Sequence, residues 1–305
     1  MRIRVLGSAA GGGFPQWNCG CGNCQGLRSG SLRAVARRQE SVAISADGKA
    51  WFLLNASPEI REQIESFPPL SPWRLRHSPI AGIVLTNGDL DHCLGLLSLR
   101  ESQPIKLYAT DSVRVGFTDG NVLYRTLERC EGQVTWRTLA LGVSRELEGN
   151  SEDGSLSITA FPVPGKRPIH LEEHGAACDE DNVGLLIQDR ATDRVLAYVP
   201  AAARWTSTLD RMLARVQVVF FDGTFWSSME LRTEGVGHKR AEDMAHLPMD
   251  DPTDSLAHLS RLGVARRILV HINNTNPLLR EDSRERAETT AAGVEVAFDG
   301  MEIDL

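Results

Sequence analysis

The sequence lacks an excess of positive charge and lacks long apolar runs. Its 305 residues carry a formal net charge of −7, with 33 Lys and Arg against 40 Asp and Glu. A protein that binds nucleic acid through its phosphates needs a concentrated basic surface, so this function is not expected. No apolar segment has the length of a membrane span, and the run at 1–7 is too short for a signal peptide. We therefore expect a cytoplasmic protein with neither nucleic acid nor membrane as a partner.

Cysteine is scarce and unevenly placed. Three of the six cysteines, Cys19, Cys21 and Cys24, are crowded between residues 19 and 24. In a reducing compartment, this spacing favours metal binding over a disulfide framework. A closed structural zinc site takes four donors. The fourth donor must therefore come from elsewhere in the chain.

Repeats and low-complexity segments are also absent, which excludes a solenoid. The pattern instead indicates alternating strands and helices. Ser57-Pro58-Glu59 is typical of a helix start and Pro68-Pro69 of its end, and further helices are predicted at 203–215 and 255–262.

Three apolar runs each lead into a residue that can bind metal. They are 83–85 before the loop 87–92, 216–221 before Asp222, and 268–270 before His271. We expect the strand ends to bring these residues together at one edge of a sheet. Taken singly, Asp222 or His271 could equally be a turn or cap residue.

The loop Asn87-Gly88-Asp89-Leu90-Asp91-His92 mixes carboxylates with an imidazole at the spacing of a metal-binding loop. The alternative is a solvated Asx-rich turn in which Asp91 caps the following helix.

The segment 86–96 resembles the metal loop of the metallo-β-lactamase superfamily, a His-x-His-x-Asp-His pattern, with both leading histidines replaced. Asp222 resembles the bridging aspartate of that superfamily and His271 its final histidine. The middle histidine, expected after a strand near 161–163, is absent, because Pro164-Gly165-Lys166 stands there. This departure argues against a two-metal hydrolytic centre.

Longer motifs narrow the resemblance. The segments 7–24, 271–277 and 298–302 are similar to those of the pyrroloquinoline quinone (PQQ) biosynthesis protein B family. The resemblance implies an α/β fold, an αββα sandwich of two mixed β-sheets flanked by helices. It also implies a single domain over 1–305, with a zinc-binding CxCxxC loop at 19–24.

The same resemblance implies an iron-dependent, oxygen-using hydroxylase in PQQ biosynthesis. Its substrate would be the tyrosine ring of a peptide-derived glutamate–tyrosine intermediate, with an external reductant as electron source. Fe(II) would be held by Asp89, Asp91, His92 and His271, while Asp222 either binds the iron or orients His271. Mixed imidazole and carboxylate donors suit an oxygen-activating iron(II) site, whereas zinc has no redox chemistry.

Two further sites, at His246 and Asn274, follow from the resemblance, and others follow from the residues themselves. His246 occupies a position near the metal pocket, where it could move protons. Asn274 stands where related phosphodiesterases complete the cysteine cluster with a histidine, so it is a candidate fourth zinc ligand. Lys166 and Arg167 could receive substrate carboxylates, and the acidic segment 170–182 is interpreted as a solvated loop or a lid.

Two other functions stay open at the level of sequence. One is a metal-dependent hydrolase of the phosphodiesterase kind, and the other is a non-catalytic carrier of the quinone product. Homo-oligomerisation is also left open.

Overall fold

The computed structural model describes residues 1–119, 121–149, 155–168, 170–171 and 176–305. Its strands form two seven-stranded sheets, in the orders β14-β1-β2-β3-β4-β5-β6 and β13-β12-β11-β10-β9-β8-β7. The strands are β1 Arg2–Gly7, β2 Ser41–Ser45, β3 Trp51–Leu54, β4 Ile80–Val84, β5 Ile105–Ala109, β6 Val134–Thr138, β7 Ser144–Glu146, β8 Leu156–Pro162, β9 Val183–Asp189, β10 Arg194–Val199, β11 Val218–Asp222, β12 Arg266–Val270, β13 Glu295–Val296 and β14 Glu302–Asp304.

Both sheets are mixed and built alike. In the first, β14, β1, β2 and β3 pair antiparallel, and β3 to β6 pair parallel. In the second, β7 to β10 pair antiparallel, and β10 to β13 pair parallel. The carboxyl ends of β4, β11 and β12, which precede the predicted metal residues, therefore belong to parallel regions.

Side-chain alternation along the strands makes three hydrophobic layers. Along β11, Val218 and Phe220 pack into the layer between the two sheets, whereas Val219 and Phe221 face the helices on the outside of the second sheet. A third cluster covers the outside of the first sheet. The predicted αββα sandwich is thus confirmed.

The helices are short. They are α1 Gly22–Ser29, α2 Ile60–Glu65, α3 Leu90–Cys93, α4 Asp111–Thr118, α5 Ser207–Leu213, α6 Glu230–Thr233, α7 Ser255–Arg261 and α8 Arg284–Ala291. Helices α5 and α7 confirm two predictions, but α2 begins later than predicted. The Ser57 carbonyl oxygen, and not its hydroxyl, accepts the Ile60 N–H. The Ser57 hydroxyl is buried and has no hydrogen-bond partner in the described structure.

Within the described residues, no helix combines the length and the apolarity required to cross a membrane.

Candidate metal centres

The first candidate centre joins residues from both sheets. Asp91 and His92 lie on α3, directly after β4 of the first sheet, and His271 follows β12 of the second. The prediction of a site at the edge of one sheet is therefore wrong in this detail. The ends of two sheets meet at the site, because the sandwich brings β4 and β12 to the same rim.

Asp91, His92 and His271 bring their ligand atoms within 4.8 Å of one another. Asp91 Oδ2 lies 3.1 Å from His271 Nε2 and 3.9 Å from His92 Nε2, and the two rings meet edge to face at 5.1 Å. His92 Nε2 is buried and has no hydrogen-bond partner among the described residues. A buried nitrogen without a partner is costly unless something binds there. The donor set and this nitrogen both fit a metal ion.

Burial and the charges of the neighbouring side chains shift the pKa values of these three residues. Burial lowers the pKa of His92 to about 4, although Asp91 acts in the opposite direction. Burial works against ionised Asp91, but His92 and His271 hold the pKa of this carboxyl well below its usual range. Burial likewise opposes a charged His271, yet its hydrogen bond to Asp91 raises the pKa of this imidazole. His92 is thus a neutral imidazole beside an anionic Asp91.

A second group, Asp222, His246 and His271, lies beside the first and shares His271. Asp222 Oδ2 accepts from the Ala202 N–H at 2.9 Å and lies 2.8 Å from His246 Nδ1. Asp222 Oδ1 accepts from the Thr224 N–H at 3.0 Å and from its hydroxyl at 2.6 Å. Both oxygens of Asp222 therefore already accept two hydrogen bonds each.

Asp89 belongs to neither group of described residues. Its N–H donates to Asn87 Oδ1 at 3.0 Å, which is the Asx turn of the alternative interpretation, but Asp89 and not Asp91 precedes the first turn of α3. Burial, and then the charge of Asp91, raise the pKa of the Asp89 carboxyl, while Lys166 acts in the opposite direction.

A cavity of about 450 Å³ opens onto both groups. Asp89, Lys166 and His246 line it, and so does His170 of the acidic segment. His174 lies outside the described residues.

The second candidate centre is the cysteine cluster. The sulfur atoms of Cys19, Cys21 and Cys24 all lie within 4.8 Å of one another. Asn274 Nδ2 lies 3.1, 3.6 and 3.4 Å from these three sulfurs, in the order given. Turning the amide by half a rotation would put its oxygen in that place. The structure thus puts the predicted fourth residue beside all three thiols.

Residues 50–272 match the family described as beta-lactamase superfamily domain. The coenzyme PQQ synthesis protein B of Azotobacter vinelandii is 44% identical over 306 aligned residues, which cover all of both proteins. The chain belongs to the coenzyme PQQ synthesis protein B family. Its role is accordingly in PQQ biosynthesis, and the resemblance noted in the sequence is confirmed.

Solved structures agree with this family. The crystal structure of zinc-bound PqqB from Methylobacterium extorquens matches with a TM-score of 0.92 at 44% identity, covering all of both chains. A diphosphatase from the PhnP family matches with a TM-score of 0.65 at 21% identity, covering 100% of this chain and 97% of the other. This second likeness concerns the fold alone.

Thr224 also belongs to this site, although the sequence did not indicate it. Its hydroxyl lies 2.8 Å from His271 Nδ1 and 3.1 Å from His246 Nδ1, and also donates to Asp222. Its place two residues after Asp222, at the end of an apolar strand, was the available signal. A threonine is too common at such turns for the sequence alone to single it out.

Proposed function

We propose that this protein is an iron-dependent oxygenase that hydroxylates the tyrosine ring of a peptide-derived glutamate–tyrosine intermediate in cytoplasmic PQQ biosynthesis. The observation that supports this proposal is a group of one carboxylate and two imidazoles, formed by Asp91, His92 and His271. In this group, His92 Nε2 is buried and has no hydrogen-bond partner among the described residues. Two imidazoles and one carboxylate form the donor set of non-haem iron(II) oxygenases. Molecular oxygen and an external reductant are the expected co-reactants.

Asp91, His92 and His271 would hold the iron, and Asp89, on the wall of the same cavity, is the proposed additional ligand. Bound Fe(II) supplies the ability to activate oxygen, which a zinc ion lacks. The remaining steps belong to the protein: it excludes water, orients the substrate and moves protons.

Asp222 is proposed as a positioning residue and not as a ligand, because four hydrogen bonds already occupy its two oxygens. A carboxylate only accepts, so His246 Nδ1 carries the hydrogen toward Asp222. In the neutral imidazole of His246, Nε2 is then the atom that can take a proton from the substrate phenol in the cavity. In the same way, Thr224 gives its hydrogen to Asp222 and accepts one from His271 Nδ1.

Lys166 is proposed to receive a carboxylate of the substrate. It stands on the cavity wall where other superfamily members have a metal-binding histidine, and its charge acts on Asp89. An ammonium group in this place favours an anionic substrate and disfavours a second cation.

A structural zinc ion is proposed at Cys19, Cys21, Cys24 and the Asn274 amide oxygen. The mutual distances of these groups support four-fold coordination.

The function is tested with protein prepared without oxygen and loaded with either Fe(II) or Zn(II). We expect hydroxylated product only with iron, oxygen and reductant together. Full turnover with zinc alone, or turnover without oxygen, would overturn the proposal and favour a metal-dependent hydrolase.

The carrier function is separated by His92→Ala. An oxygenase loses active-site iron and turnover in this variant, because His92 is a ligand. A carrier keeps its affinity for the quinone product with His92 removed, and unchanged product binding without any turnover by the parent protein would support it. A hydrolase could use a second set of metal donors, which consists of Asp222, His246 and His271. Both oxygens of Asp222, however, already accept hydrogen bonds.

A further inference from the structure

A buried chain of polar groups runs behind His92, away from the cavity. It consists of Thr86, Asn55, Tyr198 and Glu40, each at most 1% exposed. Tyr198 lies in β10 of the second sheet, whereas Asn55 and Thr86 follow β3 and β4 of the first. The chain therefore crosses the layer between the sheets and ends at a carboxyl group that plays no part in the proposed chemistry.

The amide of Asn55 can take only one orientation. Its oxygen accepts from the Thr86 backbone N–H at 3.0 Å, and a backbone N–H cannot reverse its role. Its nitrogen donates to Glu40 Oε2 and to Tyr198 Oη, both at 3.1 Å. Tyr198 in turn donates its hydroxyl hydrogen to Glu40 Oε1. Glu40 thus accepts from both side chains, although burial raises the pKa of its carboxyl to about 7.

This orientation fixes the hydroxyl of Thr86. The hydroxyl has one hydrogen, which it donates to Asn55 Oδ1 at 3.1 Å. Its oxygen then faces His92 Nδ1, 3.4 Å away, with lone pairs only. The ring nitrogen that meets it must therefore carry the hydrogen, and the other ring nitrogen, Nε2, is left unprotonated.

We propose that Asn55 and Thr86 are positioning residues that set the tautomer of His92: Asn55 takes the hydrogen of the Thr86 hydroxyl, and Thr86 then accepts one from His92 Nδ1. The inference rests on the proposed function, in which His92 binds metal through Nε2. Metal-binding histidines are generally oriented by a hydrogen bond at their other nitrogen.

The arrangement at His271 supports the same logic. There Thr224 gives its hydrogen to the Asp222 carboxylate and stands 2.8 Å from His271 Nδ1. A threonine that gives its hydrogen to a side-chain oxygen thus stands behind each imidazole. The difference is the group that takes this hydrogen, which is the Asp222 carboxylate behind Thr224 and the Asn55 amide oxygen behind Thr86.

The tautomer is read directly by ¹⁵N NMR of metal-free protein labelled in histidine, with the His92 signals identified by their loss in His92→Ala. We expect hydrogen on Nδ1 in the parent protein. In Thr86→Val, which keeps the shape of the side chain but removes the hydroxyl, we expect a mixture of tautomers and about tenfold weaker Zn(II) binding at this site. The matched control is Tyr108→Phe, a buried tyrosine whose oxygen accepts from the Glu148 N–H; it should leave both readings unchanged.

Two further measurements guard against a Thr86→Val protein that fails to fold. Thr86→Ser keeps the hydroxyl and should keep the tautomer and the zinc affinity, and the parent protein itself shows whether Nδ1 carries the hydrogen. Hydrogen on Nε2 in the parent protein, or an unchanged tautomer in Thr86→Val, would overturn the proposal. Because the NMR reading needs neither oxygen nor substrate, failure of the oxygenase function would leave it intact.

Discussion

The two candidate metal centres differ in where their donors come from and in what surrounds them. Three sulfurs of the cysteine cluster come from one short segment, and Asn274 stands beside all of them. Asp91, His92 and His271 come from two sheets and face a cavity of about 450 Å³. A centre enclosed by four protein groups suits a structural ion, whereas three groups beside a cavity leave room for substrate. The cysteine cluster is therefore suited to stabilising the fold, and the open centre is suited to a reaction.

The two centres nevertheless share one segment, 271–276. His271 belongs to one centre and Asn274 to the other, and the Asn23 side chain holds the carbonyl groups of Asn274 and Asn276 at 3.1 and 2.9 Å. His271 itself has a left-handed backbone, with φ of 60°, which a residue with a side chain adopts only when its surroundings impose it. Damage at the cysteine cluster should therefore also reach His271.

The largest effect is expected from Cys21→Ser. Loss of one thiolate should release the structural zinc and lower the Tm by about 5 °C, which corresponds to roughly 3 kcal/mol for a protein of this size. Zinc content by elemental analysis and Tm by calorimetry check this. Cys178→Ser, at an exposed cysteine, is the control. Unchanged zinc and Tm in Cys21→Ser would show that the cluster is not structural.

A smaller effect, confined to the open centre, is expected from Asp222→Asn. The amide can no longer accept four hydrogen bonds, so His246 and His271 lose their fixed orientation. We expect metal affinity at this centre to fall about 10- to 100-fold, with cysteine-cluster zinc and Tm nearly unchanged. Metal titration against a chelator measures this, and Asp210→Asn, on exposed α5, is the control. Equal loss of metal from both centres would contradict their separation.

The smallest effect concerns Glu230, which supports the shared segment. Glu230 accepts from Thr275 Oγ1 and, at 2.7 Å, from the Trp226 N–H, and burial raises its pKa to about 7 from an ordinary 4.5. The folded state therefore keeps a proton that the unfolded state releases, so stability falls as pH rises from about 4.5 to about 7 and is level above.

Glu230→Gln should remove this dependence, because glutamine does not titrate. We expect the difference in unfolding free energy between the two proteins to change by on the order of 1 kcal/mol per pH unit within that window. Urea unfolding at several pH values measures it. A difference that stays constant with pH would show that Glu230 does not titrate there.

Local sequence patterns were enough to predict much of the fold and many residues of the site. The apolar runs before the loop 87–92, Asp222 and His271 are strands as predicted, because strands that are buried on both faces form continuous apolar runs in the sequence. The start of α2 was misplaced because Ser57 has the right residue type for a cap, but tertiary packing buries its hydroxyl.

The site was harder to predict where it depends on the direction in which side chains point. Nothing in the loop spacing indicates that Asp89 lies outside the group formed by Asp91, His92 and His271, since side-chain direction follows from how α3 packs. Likewise, the saturated hydrogen bonds of Asp222 come from Ala202, Thr224 and His246, which are near in space and not consecutive in sequence.

The sequence by itself determined the ligand types: the thiols at 19–24, the acids in place of leading histidines, and the missing middle histidine with Lys166 nearby. These follow from residue identity and short spacing, which do not depend on the rest of the fold. The tertiary structure alone decided which donors meet, because the two sheets must pack before His271 can approach Asp91. It also decided which groups stand behind them, since Asn55 and Thr86 follow different strands and meet behind His92 only in the folded sheet.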